Sequence, residues 1–159
     1  MRVLAWLPAW GRSRGSRVTR RPKVAVHDTG LGANLAGFAS AHASTIGGRE
    51  YYSAIVEQFV AWELGKQQGW SEESYSLSHF RDLDGLEVDI VVELARGRLL
   101  AIEVKSSSTL TEKAWRNLLR FRQRFSDREV TAVCLHTGTD VAVIEGWLHL
   151  LPITSLWQH

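Results

Sequence analysis

Three charged residues stand inside two otherwise apolar runs: Asp89 in "LEVDIVVEL" (86–94), and Glu103 and Lys105 in "LLAIEVK" (99–105). Charges inside strand-like runs are expensive to bury, so their placement calls for a chemical reason. Strand alternation sets Glu87, Asp89 and Val91 on one face of the first run and Val88, Ile90 and Val92 on the other. Ala101, Glu103 and Lys105 share one face of the second. If the two runs pair through the "ARGR" turn (95–98), Asp89 and Glu103 come together. Two carboxylates that close repel each other unless a cation neutralises them. Hard oxygen ligands with open positions suit Mg²⁺ or Mn²⁺. Lys105 projects from the same face as Glu103. It can orient or help deprotonate an attacking water and stabilise charge developing on a phosphate. The set is a workable site for phosphodiester hydrolysis. The plain alternative is a satisfied network in which Lys105 pairs with Asp89 or Glu103 at a strand end, without metal.

The elements that must position these residues can be read from periodicity. Tyr52, Ile55, Val56, Phe59 and Val60 repeat at helical spacing, which predicts a helix from about Glu50 to Gln68, stopped by Gly69. "YSLSHF" (75–80) alternates like a strand, and Asp82, Asp84 and Gly85 form a turn. The two charged runs follow as strands. Thr109 or Thr111 opens a helix carrying Leu118, Leu119, Phe121 and Phe125. "VTAVCLH" (130–136) and "VAVIEGWLHL" (141–150) supply further strands. The order is α-β-β-β-α-β-β, a mixed α/β domain. On the long helix, the helical wheel places Glu63 near the middle of the apolar face. Upstream, "HDTGLGANLAGFAS" is a Gly- and Ala-rich stretch whose Asp28 or Thr29 caps a short helix. Its glycines do not have dinucleotide-binding spacing, and no G-x-x-x-x-G-K-[ST] occurs, so ATP binding through a P-loop is excluded.

The 159 residues, 45% hydrophobic and 23% charged, describe one ordinary globular domain. No apolar run approaches the ~20 residues needed to span a bilayer, and no signal segment is evident, so a cytoplasmic protein with no membrane partner is expected. The lone Cys134 lies in an apolar run and reads as a structural thiol. The six scattered histidines lack metal-ligand spacing. Trp62 and Trp147 read as core. Charge is unevenly spread. Residues 1–27 carry seven basic side chains and no acid, while the rest has 12 basic and 17 acidic residues. Such an arm, with Arg12, Arg14, Arg17, Arg20, Arg21 and Lys23, suits nucleic acid, with DNA favoured. The alternatives are a solvated tail or a surface facing another domain. Trp6 and Trp10 flank the arm and either stack on bases or cover apolar surface.

An acidic helix, a strand with Asp and a strand with Glu-x-Lys resemble the PD-(D/E)XK nuclease superfamily. The stretches that fit are "IVEQFVAWELGKQ", "EVDIVVE" and "AIEVKSS", with Val88-Asp89 where the superfamily commonly has Pro-Asp. The resemblance implies a restriction-endonuclease-like core, a central mixed β-sheet flanked by helices with an N-terminal extension. It implies Asp89 and Glu103 as metal ligands and Lys105 as the catalytic lysine. For the helix carboxylate, the pattern E-x-x-V-x-x-E-L favours Glu57, and the helical wheel keeps Glu63 open. A narrower resemblance runs from about Leu7 to Trp157, through "LPAW", "RRPKVAVHDTGLGANLAG", "HFRDLDGLEVDIVVE", "IEVKSSS" and "LPITSLW". These stretches look like domain of unknown function 4143, the C-terminal region of a group of prokaryotic AAA+-type ATPases. Members carry a Walker A motif upstream. Its lack here implies a fragment of that arrangement, or one half of a split system with a partner ATPase. The expected division is a basic arm and helical extension (1–46) and a nuclease-like domain (47–159). Three functions stay open: a Mg²⁺-dependent nuclease-like domain, a noncatalytic module binding DNA or a partner, and a remnant without independent role.

Overall fold

The computed structural model describes residues 4–11, 21–26, 28–39 and 45–158. In chain order these form β1 (Leu4–Leu7), β2 (Lys23–Val26), α1 (Thr29–Leu35), α2 (Ile46–Gln67), β3 (Ser76–Arg81), β4 (Glu87–Glu93), β5 (Leu99–Lys105), α3 (Arg116–Arg124), β6 (Val130–His136), β7 (Ala142–Ile144) and β8 (Leu148–Pro152). Six strands make one mixed sheet in the order β3-β4-β5-β6-β8-β7. The β3–β4, β4–β5 and β7–β8 pairs are antiparallel, and β5–β6 and β6–β8 are parallel. Parallel neighbours need a crossover, and α3 lies on the β5-to-β6 connection. This is an α/β fold with helices flanking a central mixed sheet.

Each face of the sheet has its own core. On one, Val56, Val60 and Ala61 of α2 pack on Ile90, Val92, Ile102, Val104 and Leu135. On the other, Leu118 and Phe121 of α3 pack with Val88, Val91, Leu99, Ala101, Ala132 and Cys134. Thr45 caps α2, its Oγ1 accepting the Gly48 N–H at 3.1 Å, so the helix begins four residues before Glu50. α3 begins at Arg116, after a 3₁₀ turn over Glu112–Ala114, rather than at Thr109 or Thr111. Asp28 caps α1 as expected, accepting the Leu31 N–H at 2.9 Å.

Two sequence expectations need correction. The run 141–150 is not one strand but the β7–β8 hairpin, turned by Glu145 (φ 49°) and Gly146 (φ 71°). The simple alternation of β4 also fails. Val88 belongs with Val91 on the α3 side, and Ile90 with Val92 on the α2 side. The pairing with β3 steps from Ser78↔Val91 to Phe80↔Val88, so β4 holds one extra residue there, a β-bulge. Asp89 lies within it.

The N-terminal segment joins the core. β1 and β2 form an antiparallel ribbon in which Leu7 stands opposite Lys23. Leu7 is buried in the α2-side core. Past it the chain lies along β3: Trp10 N–H donates to the His79 carbonyl at 2.6 Å, and His79 N–H to that of Pro8 at 2.9 Å. Trp10, 1% exposed, sits edge-on among Phe80, Phe121 and Phe125. Core contacts thus run across the expected 46/47 division. Trp6 is 62% exposed. Among the described residues no helix is long and apolar enough to cross a membrane.

Candidate active site

The bulge in β4 opens a fork beside β5. The β4–β5 ladder runs from Glu93↔Leu99 to Ile90↔Ile102 and stops. Continuing that register would set Val104 opposite Val88. Instead, the Asp89 carboxylate accepts the Val104 N–H, with Oδ2 at 2.9 Å. Next to it Glu103, 7% exposed, follows the α3-facing Ala101 along β5. Its Oε1 accepts from Lys105 Nζ at 2.6 Å, while its Oε2 is buried with no hydrogen-bond partner. From the other side α2 brings Glu57, whose Oε1 accepts from Lys23 Nζ at 2.7 Å. The same amine lies 3.1 Å from Oε1 of Glu87, the first residue of β4. Ser53, one turn before Glu57, meets Ser106 at 2.5 Å between hydroxyl oxygens and pins α2 to the end of β5.

The charges in this fork act on one another. Burial pushes the Asp89 carboxyl well above the usual carboxylate range, and the charges of Glu103 and Glu57 push it further; the Val104 N–H and Lys23 oppose the shift only in part. Burial also raises Glu103, against the pull of Lys105. Burial lowers the affinity of Lys105 for its proton, but Glu103, together with Asp89, outweighs this, so its pKa is raised and the amine is an ammonium at neutral pH. Lys23 is raised in the same way, burial being outweighed chiefly by Glu57. Cys134, paired in register with Glu103, is pushed up to about 12 by burial and then by Glu103. It is a protonated, structural thiol.

The fork therefore gathers Asp89, Glu103, Lys105 and Glu57. Glu63 stands apart from it, paired with Lys66 on α2. Arg12, Arg14, Arg17 and Arg20 lie outside the described residues. Arg21 is exposed and lines a cleft of about 470 Å³ together with Lys23, His79 and Arg81. Lys23 borders this cleft, but its amine is held by the carboxylates. Sequence reasoning missed Glu87 as its second partner. The available signal was the first position of the "EVD" strand, two residues before Asp89 and opposite Arg81 in register.

The family described as Domain of unknown function (DUF4143) matches residues 52–156, well over half of the sequence. The chain belongs to the DUF4143 family. The DUF4143 segment takes in Glu57, Glu87, Asp89, Glu103 and Lys105, and it leaves out Lys23. Comparison with curated proteins and with solved structures returns no match.

The donor chemistry of this DUF4143 fork fits a hard cation at two carboxylates. Glu103 Oε2 is buried and unpartnered, and Asp89 is raised first by burial and then by the charges of Glu103 and Glu57. Glu57 is engaged by Lys23. Among the described residues, no group of three or more His, Cys, Asp or Glu side chains is arranged to hold a metal ion.

A stability consequence follows for the metal-free protein. The folded-state pKa of Asp89 lies above its unfolded value of ~3.9. Stability linked to its proton is then full below that unfolded value and is lost as pH rises through the folded one. Asn keeps an acceptor for the Val104 N–H without the charge. Asp89→Asn should therefore melt higher than wild type at pH 8 in EDTA, by about 1 kcal/mol, or roughly 2–4 °C. The gain should vanish near pH 4. Equal melting at pH 8 would show that the charge of Asp89 is already compensated.

Proposed function

We propose that this DUF4143 domain is a divalent-cation-dependent phosphodiesterase acting on nucleic acid, with DNA the favoured substrate, and that its fold is of the PD-(D/E)XK nuclease type. The observation that carries the reading is the buried, unpartnered Glu103 Oε2 next to Asp89, with Lys105 holding the other Glu103 oxygen. A buried carboxylate pair short of countercharge is stabilised by a cation, and Asp89 and Glu103 are the residues to hold Mg²⁺ or Mn²⁺. Bound there, such an ion supplies Lewis-acid stabilisation of a phosphoryl oxygen. Lys105 is an ammonium, so its part is to stabilise charge on the phosphate rather than to take a proton from water. The cleft beside the fork, with Arg21 and Arg81, offers positive charge to flanking phosphates.

A second reading is a noncatalytic module that binds DNA or a partner ATPase. It is favoured by the lack, among the described residues, of a three-ligand metal group. In that case Lys105 is a structural countercharge.

Metal titration of the purified chain by calorimetry, with Asp89→Ala alongside, tests the first reading. Saturable Mg²⁺ or Mn²⁺ binding is expected, lost in the variant, together with metal-dependent cleavage of single- or double-stranded DNA. Wild-type protein that binds no metal and cuts neither DNA nor RNA would leave the second reading.

A further inference from the structure

Lys23 reaches the fork from outside the DUF4143 segment. Its position is set by the β1–β2 ribbon: its register partner Leu7 is buried against α2, so the lysine stem is held at the helix surface. The side chain is 30% exposed, close to the 28% and 32% of Glu57 and Glu87, so this is a half-buried bridge rather than a solvated pair. Arg81 comes no nearer than 3.8 Å to the other oxygen of Glu87 and is 68% exposed, so it adds little. Val26, further along the ribbon, donates its N–H to Gln58 Oε1 on α2 at 3.3 Å, a second tie next to Glu57.

The carboxylate oxygens of the fork differ in what already occupies them. Glu57, Glu87, Asp89 and Glu103 face two ammonium groups, Lys23 and Lys105. One negative charge remains on each pair, Glu57 with Glu87 and Asp89 with Glu103. Of these four carboxylates Glu103 alone keeps a buried oxygen without a partner, whereas Glu57 Oε1 and Glu87 Oε1 are both taken by Lys23. Hydrolytic sites with two metal ions place the second where it neutralises the far side of the reacting phosphate. An ammonium at Glu57 and Glu87 fills such a position with a single fixed charge.

We infer that Lys23 is a built-in cation of the site, holding Glu57 and Glu87 in the place of a second metal ion, so that the chain binds one divalent cation, at Asp89 and Glu103. The inference rests on the metal-dependent reading above. It makes Lys23 a positioning residue, whose charge belongs to the site rather than to a free basic arm, and it makes Glu57 a partner of Lys23 rather than a metal ligand.

The test is the number of Mn²⁺ ions bound per chain, counted by electron paramagnetic resonance during titration of the full chain with MnCl₂. Wild type should bind one. Lys23→Met should bind two, because Glu57 and Glu87 become available. Lys23→Arg, which keeps the charge, should bind one. Glu57→Gln should leave the count at one, with a Kd within about threefold of wild type. Two ions in wild type, or one in a folded Lys23→Met, overturns the inference and leaves the metal-dependent reading standing. Should Lys23→Met fail to fold, the wild-type count and Glu57→Gln decide: loss of Mn²⁺ in Glu57→Gln shows Glu57 to be a ligand and overturns it. No Mn²⁺ bound to wild type overturns both the inference and the reading beneath it.

Discussion

Trp10→Ala should lower the free energy of unfolding by about 3–5 kcal/mol, the usual cost of truncating a buried aromatic to Ala. That is a large part of the 5–15 kcal/mol typical of a domain. Trp10 is 1% exposed, and its ring packs edge-on against Phe125 at 4.9 Å, Phe121 at 5.9 Å and Phe80 at 6.1 Å between centroids. Those rings come from the edge strand β3 and from the α3 region, so a hole at Trp10 loosens the junction between them. The indole N–H is buried without an acceptor, which means that packing supplies the stabilisation and a hydrogen bond does not. Backbone hydrogen bonds from Trp10 and to Pro8 keep the segment beside His79, so the surroundings cannot easily collapse into the space. Trp6→Ala provides the comparison: at 62% exposure it should change stability by less than about 0.5 kcal/mol. Urea denaturation of both variants measures the difference. A loss below about 1 kcal/mol for Trp10→Ala would show that the N-terminal segment is only draped on the fold.

What could be read from the sequence followed the reach of the interactions involved. Strand β5 was legible to the residue, because "LLAIEVK" is bounded by a turn with positive φ at Arg96 and Gly97 and by the serines that follow. The caps of α1 and α2 depend on near neighbours, and Asp28 was accordingly legible. Trp10 was not, because the residues it packs against are seventy or more positions away and its own surroundings are dominated by arginines. The bulge at Asp89 was invisible for a similar reason. It exists in the pairing with β3, and no pattern within β4 announces it. Alternation alone nevertheless set Asp89 toward Glu103, since the expected hairpin puts them opposite each other. Lys23 shows the limit of charge counting. Seven basic residues in a row of twenty-seven suggest a polyanion, but a count does not say which anion each one meets. For Lys23 the anions are Glu57 and Glu87, within the same chain. Glu57 and Glu63 lie six positions apart on one helix; the pattern E-x-x-V-x-x-E-L favours Glu57, the helical wheel keeps Glu63, and the fold sets Glu57 beside Asp89 and Glu63 beside Lys66.

Lys105→Ala should reduce metal-dependent cleavage by about 10²–10³-fold, the loss seen when one donor to a developing oxyanion is removed, or about 2.7–4 kcal/mol. The ammonium is already placed by Glu103 at 2.6 Å, so it needs no reorganisation as charge builds on the phosphate. Binding of uncleaved DNA should change by less than about tenfold, ~1.4 kcal/mol, because the cations that line the cleft, Arg21 and Arg81, are untouched. The separation of the two effects is the signature of a group that acts on the transition state. A purely structural lysine would behave differently. There would be no cleavage to lose, and Lys105→Ala would leave Glu103 with both oxygens short of a partner beside Asp89. The variant would then melt lower than wild type in EDTA at pH 8. The deficit would shrink as the pH falls and Glu103, whose folded pKa is already raised by burial, takes up its proton. Cleavage by Lys105→Ala within threefold of wild type, with DNA binding and folding intact, would remove Lys105 from the chemistry and leave it as the countercharge of Glu103.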